Sequence, residues 1–161
     1  MVFTIKEGKH YSDNRFHKAV HLLRTKTISY DVTFTESCKY QLGSPDQLDI
    51  NKLFGYSNCI DPHIESTRVG WRWNGEKIAI FAYLYRDGAR SDYHIKDIEC
   101  GVEYTIQLER IEGHDIFKIL RAGAVVAVEV FERKPSLFAW SLWPYFGGNQ
   151  TAPHDIYIQL N

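Results

Sequence analysis

In the segment STRVGWRW, residues 66–73, Ser66, Arg68, Gly70 and Arg72 alternate with Thr67, Val69, Trp71 and Trp73. Successive side chains of a strand point to opposite faces, so one face is basic and hydroxyl-bearing while the other is core. The run that follows behaves alike: Phe81, Tyr83 and Tyr85 alternate with Ile80, Ala82 and Leu84. Upstream, Lys52, Phe54 and Tyr56 form a third row of the same kind. Three such rows side by side on one sheet face would make a groove for an anionic sugar. Guanidinium groups pair with carboxylates, and tyrosine rings lie against pyranose faces. A solvated face is the plain alternative, because Arg and Lys are common on exposed sheets and Tyr favours strands. That alternative predicts arginines tied up in ion pairs with Asp or Glu.

Other chemistry-bearing residues point less far. His10, His17 and His21 suggest a metal cluster, but the i, i+4 pair His17 and His21 lacks a third ligand at a convincing spacing. His154 and Asp155 precede the last apolar run, where bonding to nearby backbone explains them. The turn YFGGNQTAP is glycine-rich and could reach a ligand. Patterns of the GxGxxG, P-loop and G-x-S-x-G types are absent, which removes nucleotide binding and the usual serine-hydrolase elbow. Three cysteines, Cys38, Cys59 and Cys100, with no CxxC spacing read as free, packed thiols.

The elements that must position these residues are strands. Residues 28–35 alternate strictly, with Ile28, Tyr30, Val32 and Phe34 on one face. Further strands are predicted over 2–6, 52–57, 67–73, 77–85, 93–99, 103–110, 115–120, 125–131, 137–143 and 155–160. Asn74-Gly75, Asp87-Gly88 and Glu112-Gly113 sit between such runs, and these dipeptides suit tight hairpins, so antiparallel neighbours follow. Only residues 17–24 admit a short helix, and they also read as a strand. Many short strands with almost no helical period predict a single all-β, antiparallel β-sandwich or jelly roll over residues 1–161.

Composition bounds the partners. The 161 residues are 44% hydrophobic and 24% charged, enough for a core without staples. Nineteen Lys plus Arg against twenty Asp plus Glu give a formal charge of −1, so no global field draws the chain to nucleic acid or to an anionic membrane. No stretch approaches a membrane span, and the start lacks the apolar core of a secretory signal. The chain is expected in the cytoplasm or a virion if Met1 is its native start, and outside the cell if a leader has been removed.

The order KLFGY, STRVGWRW, FAYLY and YFGG resembles the jelly-roll polysaccharide lyases that cleave alginate or glucuronan, and more widely the concanavalin A-like lectin and glucanase domains. Those lyases carry K-L-P-G, an S-x-R strand running into W-R, a Y-x-Y strand and an F-F-G-G turn. The resemblance spans residue 52 to the C-terminus and implies a concanavalin-like β-jelly roll. It also implies that Lys52, Ser66, Arg68, Tyr83 and Tyr85 line an active groove, with Tyr56, Arg72 and Phe81 beside them as binding residues. The implied reaction is β-elimination on a uronic acid in an acidic polysaccharide, without metal or other cofactor. Phe54 stands where the family has proline. The closely spaced acidic residues that the glucanases need on one strand are missing, which disfavours retaining glycosidase chemistry. Two other classes stay open: a non-catalytic lectin-like module, and a structural or assembly protein such as one of a virus particle. Oligomeric state is open as well.

Overall fold

A computed structural model describes residues 1–13, 20–22, 26–136 and 138–161. Its strands are β1 (Val2–Ile5), β2 (Val20–Leu22), β3 (Lys26–Phe34), β4 (Asn51–Ser57), β5 (Ser66–Trp73) and β6 (Ile78–Arg86). They continue with β7 (Ala89–Ile98), β8 (Glu103–Ile111), β9 (His114–Arg121), β10 (Ala124–Glu132), β11 (Phe138–Leu142) and β12 (Ile156–Leu160). Two short 3-10 helices, Glu36–Cys38 and Asp46–Leu48, lie between β3 and β4. The strands form two six-stranded antiparallel sheets. One runs β1-β12-β3-β8-β9-β10, and the other, called here the groove sheet, runs β2-β11-β4-β5-β6-β7. The fold is an all-β jelly-roll sandwich.

Sequence alternation accounts for the pairing of the sheets. On β3, Val32 and Phe34 are fully buried while Thr27, Ser29 and Asp31 are exposed. The inward side chains of both sheets, among them Phe34, Trp71, Ile80, Ile106 and Phe117, make one core. Trp71 is fully buried and packs against Phe34 with ring centroids 5.1 Å apart. Turn chemistry sets the register that alternation leaves free. Asn74 Oδ1 accepts the backbone N–H groups of Glu76 and Lys77 at 3.0 and 2.8 Å, and Gly75 takes φ +98°, so β5 and β6 fold back with Arg68 opposite Tyr83. Asp87 and Gly88, at φ +52° and +79°, close β6 onto β7.

Two strand expectations change. β7 begins at Ala89 rather than at 93, because an edge strand with solvent on one face tolerates the polar run Arg90–Ser91–Asp92 that hides alternation. Within residues 17–24, positions 20–22 form β2, and the rest of that candidate helix, His17 included, lies outside the described residues. Among the described residues no helix is long and apolar enough to cross a membrane.

Candidate functional site

The groove sheet carries its outward side chains in rows that cross the strands. One row reads Leu142, Gly55, Arg68, Tyr83 and Asp92; the next reads Tyr145, Lys52, Gly70, Phe81 and His94. Gly70 keeps the floor low, since a Cβ there would lie 2.6 Å from the Ile50 Cγ2 and 3.3 Å from the Phe81 Cβ. The structure therefore brings Lys52, Arg68, Arg72, Phe81, Tyr83 and Tyr85 to one face. A row at one margin, Ser57, Ser66 and Tyr85, is roofed by the loop 58–65. Ser66 Oγ donates to the Pro62 carbonyl at 2.6 Å and is 1% exposed, so its hydroxyl is committed to that loop. His63 from the same loop meets the Tyr85 ring edge-on at 5.2 Å.

Phe54 and Tyr56 are not in the groove. The register slips between Lys52 and Phe54, leaving Leu53 as an extra residue that reverses the parity of β4. Lys52 stays on the groove side while Leu53, Phe54 and Tyr56 all enter the core. Tyr56 donates its hydroxyl to the buried Asp115, which also accepts Thr67 Oγ1 at 2.6 Å and Arg86 Nη2 at 2.9 Å. Tyr56 thus pins the two sheets together and has no face for a ligand. A small cavity lined by Tyr56, Ile28, Leu108 and Arg110 lies on this inner side, away from the groove.

Arg68 is the centre of the groove. Its Nη2 makes one long bond, 3.5 Å, to the Trp143 carbonyl, and its Nε is buried with no partner. The nearest ionisable tyrosines are Tyr83, Tyr145, Tyr11 and Tyr85, and burial draws the guanidinium pKa down to about 10. Lys52 lies beneath, 8% exposed, with Nζ donating to the Ile50 carbonyl at 2.7 Å. The ammonium sits 4.3 Å from the Tyr83 ring centroid and 5.7 Å from that of Tyr145. Burial first, then the charges of Arg68 and Arg90, lowers its pKa to about 8. Among the described residues neither Lys52, Arg68 nor Arg72 has a carboxylate at ion-pair distance, whereas eight other lysines and arginines do. Arg72 donates to the Leu48 carbonyl at 2.8 Å and stacks on Phe81 at 4.9 Å. The arginines of this face are not locked in salt bridges.

Tyrosines supply the proton chemistry. Tyr83 has its pKa pushed up to about 12 by burial and by Tyr85, partly offset by Arg90. Burial and Tyr11 raise Tyr145, and Arg68 opposes them. Near neutral pH both are hydroxyl donors flanking one guanidinium. Tyr145 escaped the sequence reading because it sits in irregular chain after Pro144, where no alternation marks its side. Paired N–H···O bonds of 2.8 and 2.9 Å fasten its backbone to Lys52. Asn51 Oδ1 holds the next turn by accepting the Gly147 N–H at 2.8 Å. Gly147 lies so close to β4 that a Cβ would stand 2.1 Å from the Ile50 carbonyl oxygen. His10 stacks on Tyr145 at 5.2 Å with Nδ1 bonded to the Phe146 carbonyl. Among the described residues no group of three His, Cys, Asp or Glu could hold a metal ion.

No family model matches the chain, and no curated protein matches it. Solved structures do. The alginate lyase AlyC3 is 14% identical and superimposes with TM-score 0.62 over 99% of this chain and 72% of that one. The alginate lyase from Klebsiella pneumoniae is 12% identical, with TM-score 0.58 over 85% of this chain and 58% of that one. The xyloglucan PUL protein GH43B of Bacteroides ovatus gives 8% and 0.58 over 86% of this chain, which spans only 27% of it. The class defined here is a jelly roll of the polysaccharide-lyase kind, and at these identities the likeness is one of fold.

Proposed function

We propose that the groove binds an acidic, uronic-acid-containing polysaccharide and cleaves it by β-elimination. The observation that carries this reading is Arg68: a half-buried guanidinium with an unpartnered Nε, no carboxylate beside it and tyrosine hydroxyls around it. An unpaired charge held out of water is costly unless a ligand completes it. A sugar carboxylate is the complement, and neutralising it acidifies the adjacent C5–H.

In the proposed step the C5–H bond breaks and its proton passes to a base of the groove. Lys52, with a pKa of about 8, is the group nearest to neutrality there. The electron pair forms the C4–C5 double bond, the C4–O bond breaks, and a tyrosine of the Tyr83, Tyr85 and Tyr145 set gives the leaving oxygen a proton. Arg68 stabilises the charge that gathers on the carboxylate as the proton leaves. The test is incubation with alginate, polyglucuronate and related polymers while recording ultraviolet absorbance of the unsaturated product. Absorbance that rises with wild type and not with Arg68→Ala supports the lyase.

A second reading is a lectin-like module on the same groove. It is favoured by the commitment of Lys52 and Ser66 to protein carbonyls, which leaves them satisfied without substrate. Binding of the polymer with no absorbance change, lost in Arg68→Ala, would select it. Neither binding nor cleavage, together with a large stable assembly, would point to a structural protein.

A further inference from the structure

The last strand of the sheet opposite the groove is unlike the other edges of the sandwich. β10 pairs with β9 alone, so one side of its backbone is unpaired among the described residues. An open edge invites another strand, and proteins commonly guard such edges with charges, proline or brevity. β7, the groove-sheet edge above it, is guarded by Arg90, Asp92, His94, Lys96 and Asp97, and β1 is four residues long. β10 reads AVVAVEVFE, with no Lys, Arg or Pro, and its Val125, Val126, Val128 and Val130 are 55, 37, 46 and 54% exposed. Its one guard is a register shift at Val126, which leaves Ala127 to Phe131 regular. Beyond that the Glu132 carbonyl already accepts Arg86 Nε at 3.3 Å, so the free stretch ends there.

We infer that this edge is the seam of a homodimer, in which β10 of one copy pairs antiparallel with β10 of a second about a two-fold axis at Val128. Charge and parity both select this occupant. Around Val128 the axis sets Val128 against its own copy, Val126 against Val130, and Ala127 against Glu129. Each glutamate then meets a small neutral residue. The acidic end of one strand, at Glu129 and Glu132, runs toward the end of the other where Arg121 stands opposite Ala124. A parallel copy would stack every glutamate on itself, which like charges oppose. The contact is one strand pair with flanking valines, at the low end of specific interfaces, so the dimer forms reversibly with concentration.

Sedimentation equilibrium over low micromolar to near-millimolar protein tests this. Wild type is expected to pass from the mass of one chain to that of two, with β10 amides exchanging more slowly as concentration rises. Val128→Lys and Val130→Lys stay at one chain, with circular dichroism and melting as in wild type, because both side chains point to solvent. Glu129→Lys weakens the dimer by turning the attraction for Arg121 into repulsion. A wild type that remains at one chain throughout overturns the proposal. So does a dimer that the two lysine variants retain. Should those variants fail to fold, amide exchange of wild type decides: β10 protection that ignores concentration also overturns it.

Discussion

Two arginine clusters sit on opposite faces of the groove sheet, and they differ in one respect. On the inner face Arg86 and Arg133 close on Asp115 at 2.9 and 3.4 Å, with Tyr56 and Thr67 filling the remaining acceptor positions of that carboxylate. On the outer face Arg68 and Arg72 meet only backbone carbonyls and aromatic rings. The inner cluster is complete and ties strands of both sheets together. The outer one lacks its anion. Residue type is the same in both places, so it is the missing partner, and not arginine itself, that marks a binding site.

The largest expected effect breaks the inner cluster. Asp115→Ala leaves Arg86, Arg133, Tyr56 and Thr67 without their shared acceptor, and loss of one partner from such a buried pair costs about 3–5 kcal/mol. Urea unfolding should show it, while ligand affinity of the protein that remains folded stays the same. Arg68→Ala should do the reverse: stability unchanged or raised, and turnover lowered about 10²–10³-fold, the typical loss for one electrostatic contact to a developing charge. Tyr85→Phe removes a hydroxyl and keeps the ring, so kcat should fall about 10²-fold at nearly constant KM.

Lys52 sharpens the contrast through pH. Its ammonium is charged in the folded chain below about pH 8, whereas the unfolded lysine holds its proton to about 10.5. Between these values the unfolded chain binds more protons, so this group makes stability rise with pH across that window. Affinity for a polyanion should move oppositely, declining as pH passes through about 8 and the groove loses a charge. Lys52→Met should flatten both trends, as read by melting and by titration calorimetry. The smallest effect belongs to Arg72→Ala, whose stacking on Phe81 is worth about 0.5–1 kcal/mol at a half-exposed site.

How much of this was legible in the sequence follows from what parity can carry. Alternation placed Arg68, Arg72, Tyr83 and Tyr85 on one face and Trp71 in the core, and Asn74-Gly75 announced the hairpin that sets Arg68 opposite Tyr83. The same rule misplaced Phe54 and Tyr56, because one inserted residue at Leu53 reverses every side chain after it, and apolar Leu-Phe shows no mark of a bulge. Arg90, Asp92 and Tyr145 were invisible to it for other reasons: two sit on a polar edge strand, and one lies outside regular structure. The lone carboxylate at the start of β9, Asp115, could be recognised as a hub only once four distant segments were seen to meet there.

The most direct measurement is calorimetric titration of wild type and Arg68→Ala with a uronic-acid oligosaccharide and with the same oligosaccharide after its carboxyl groups have been reduced to alcohols. The account predicts binding in one combination alone, wild type with the acidic sugar. Equal affinity for the reduced sugar, or binding of the acidic sugar that survives Arg68→Ala, would contradict it.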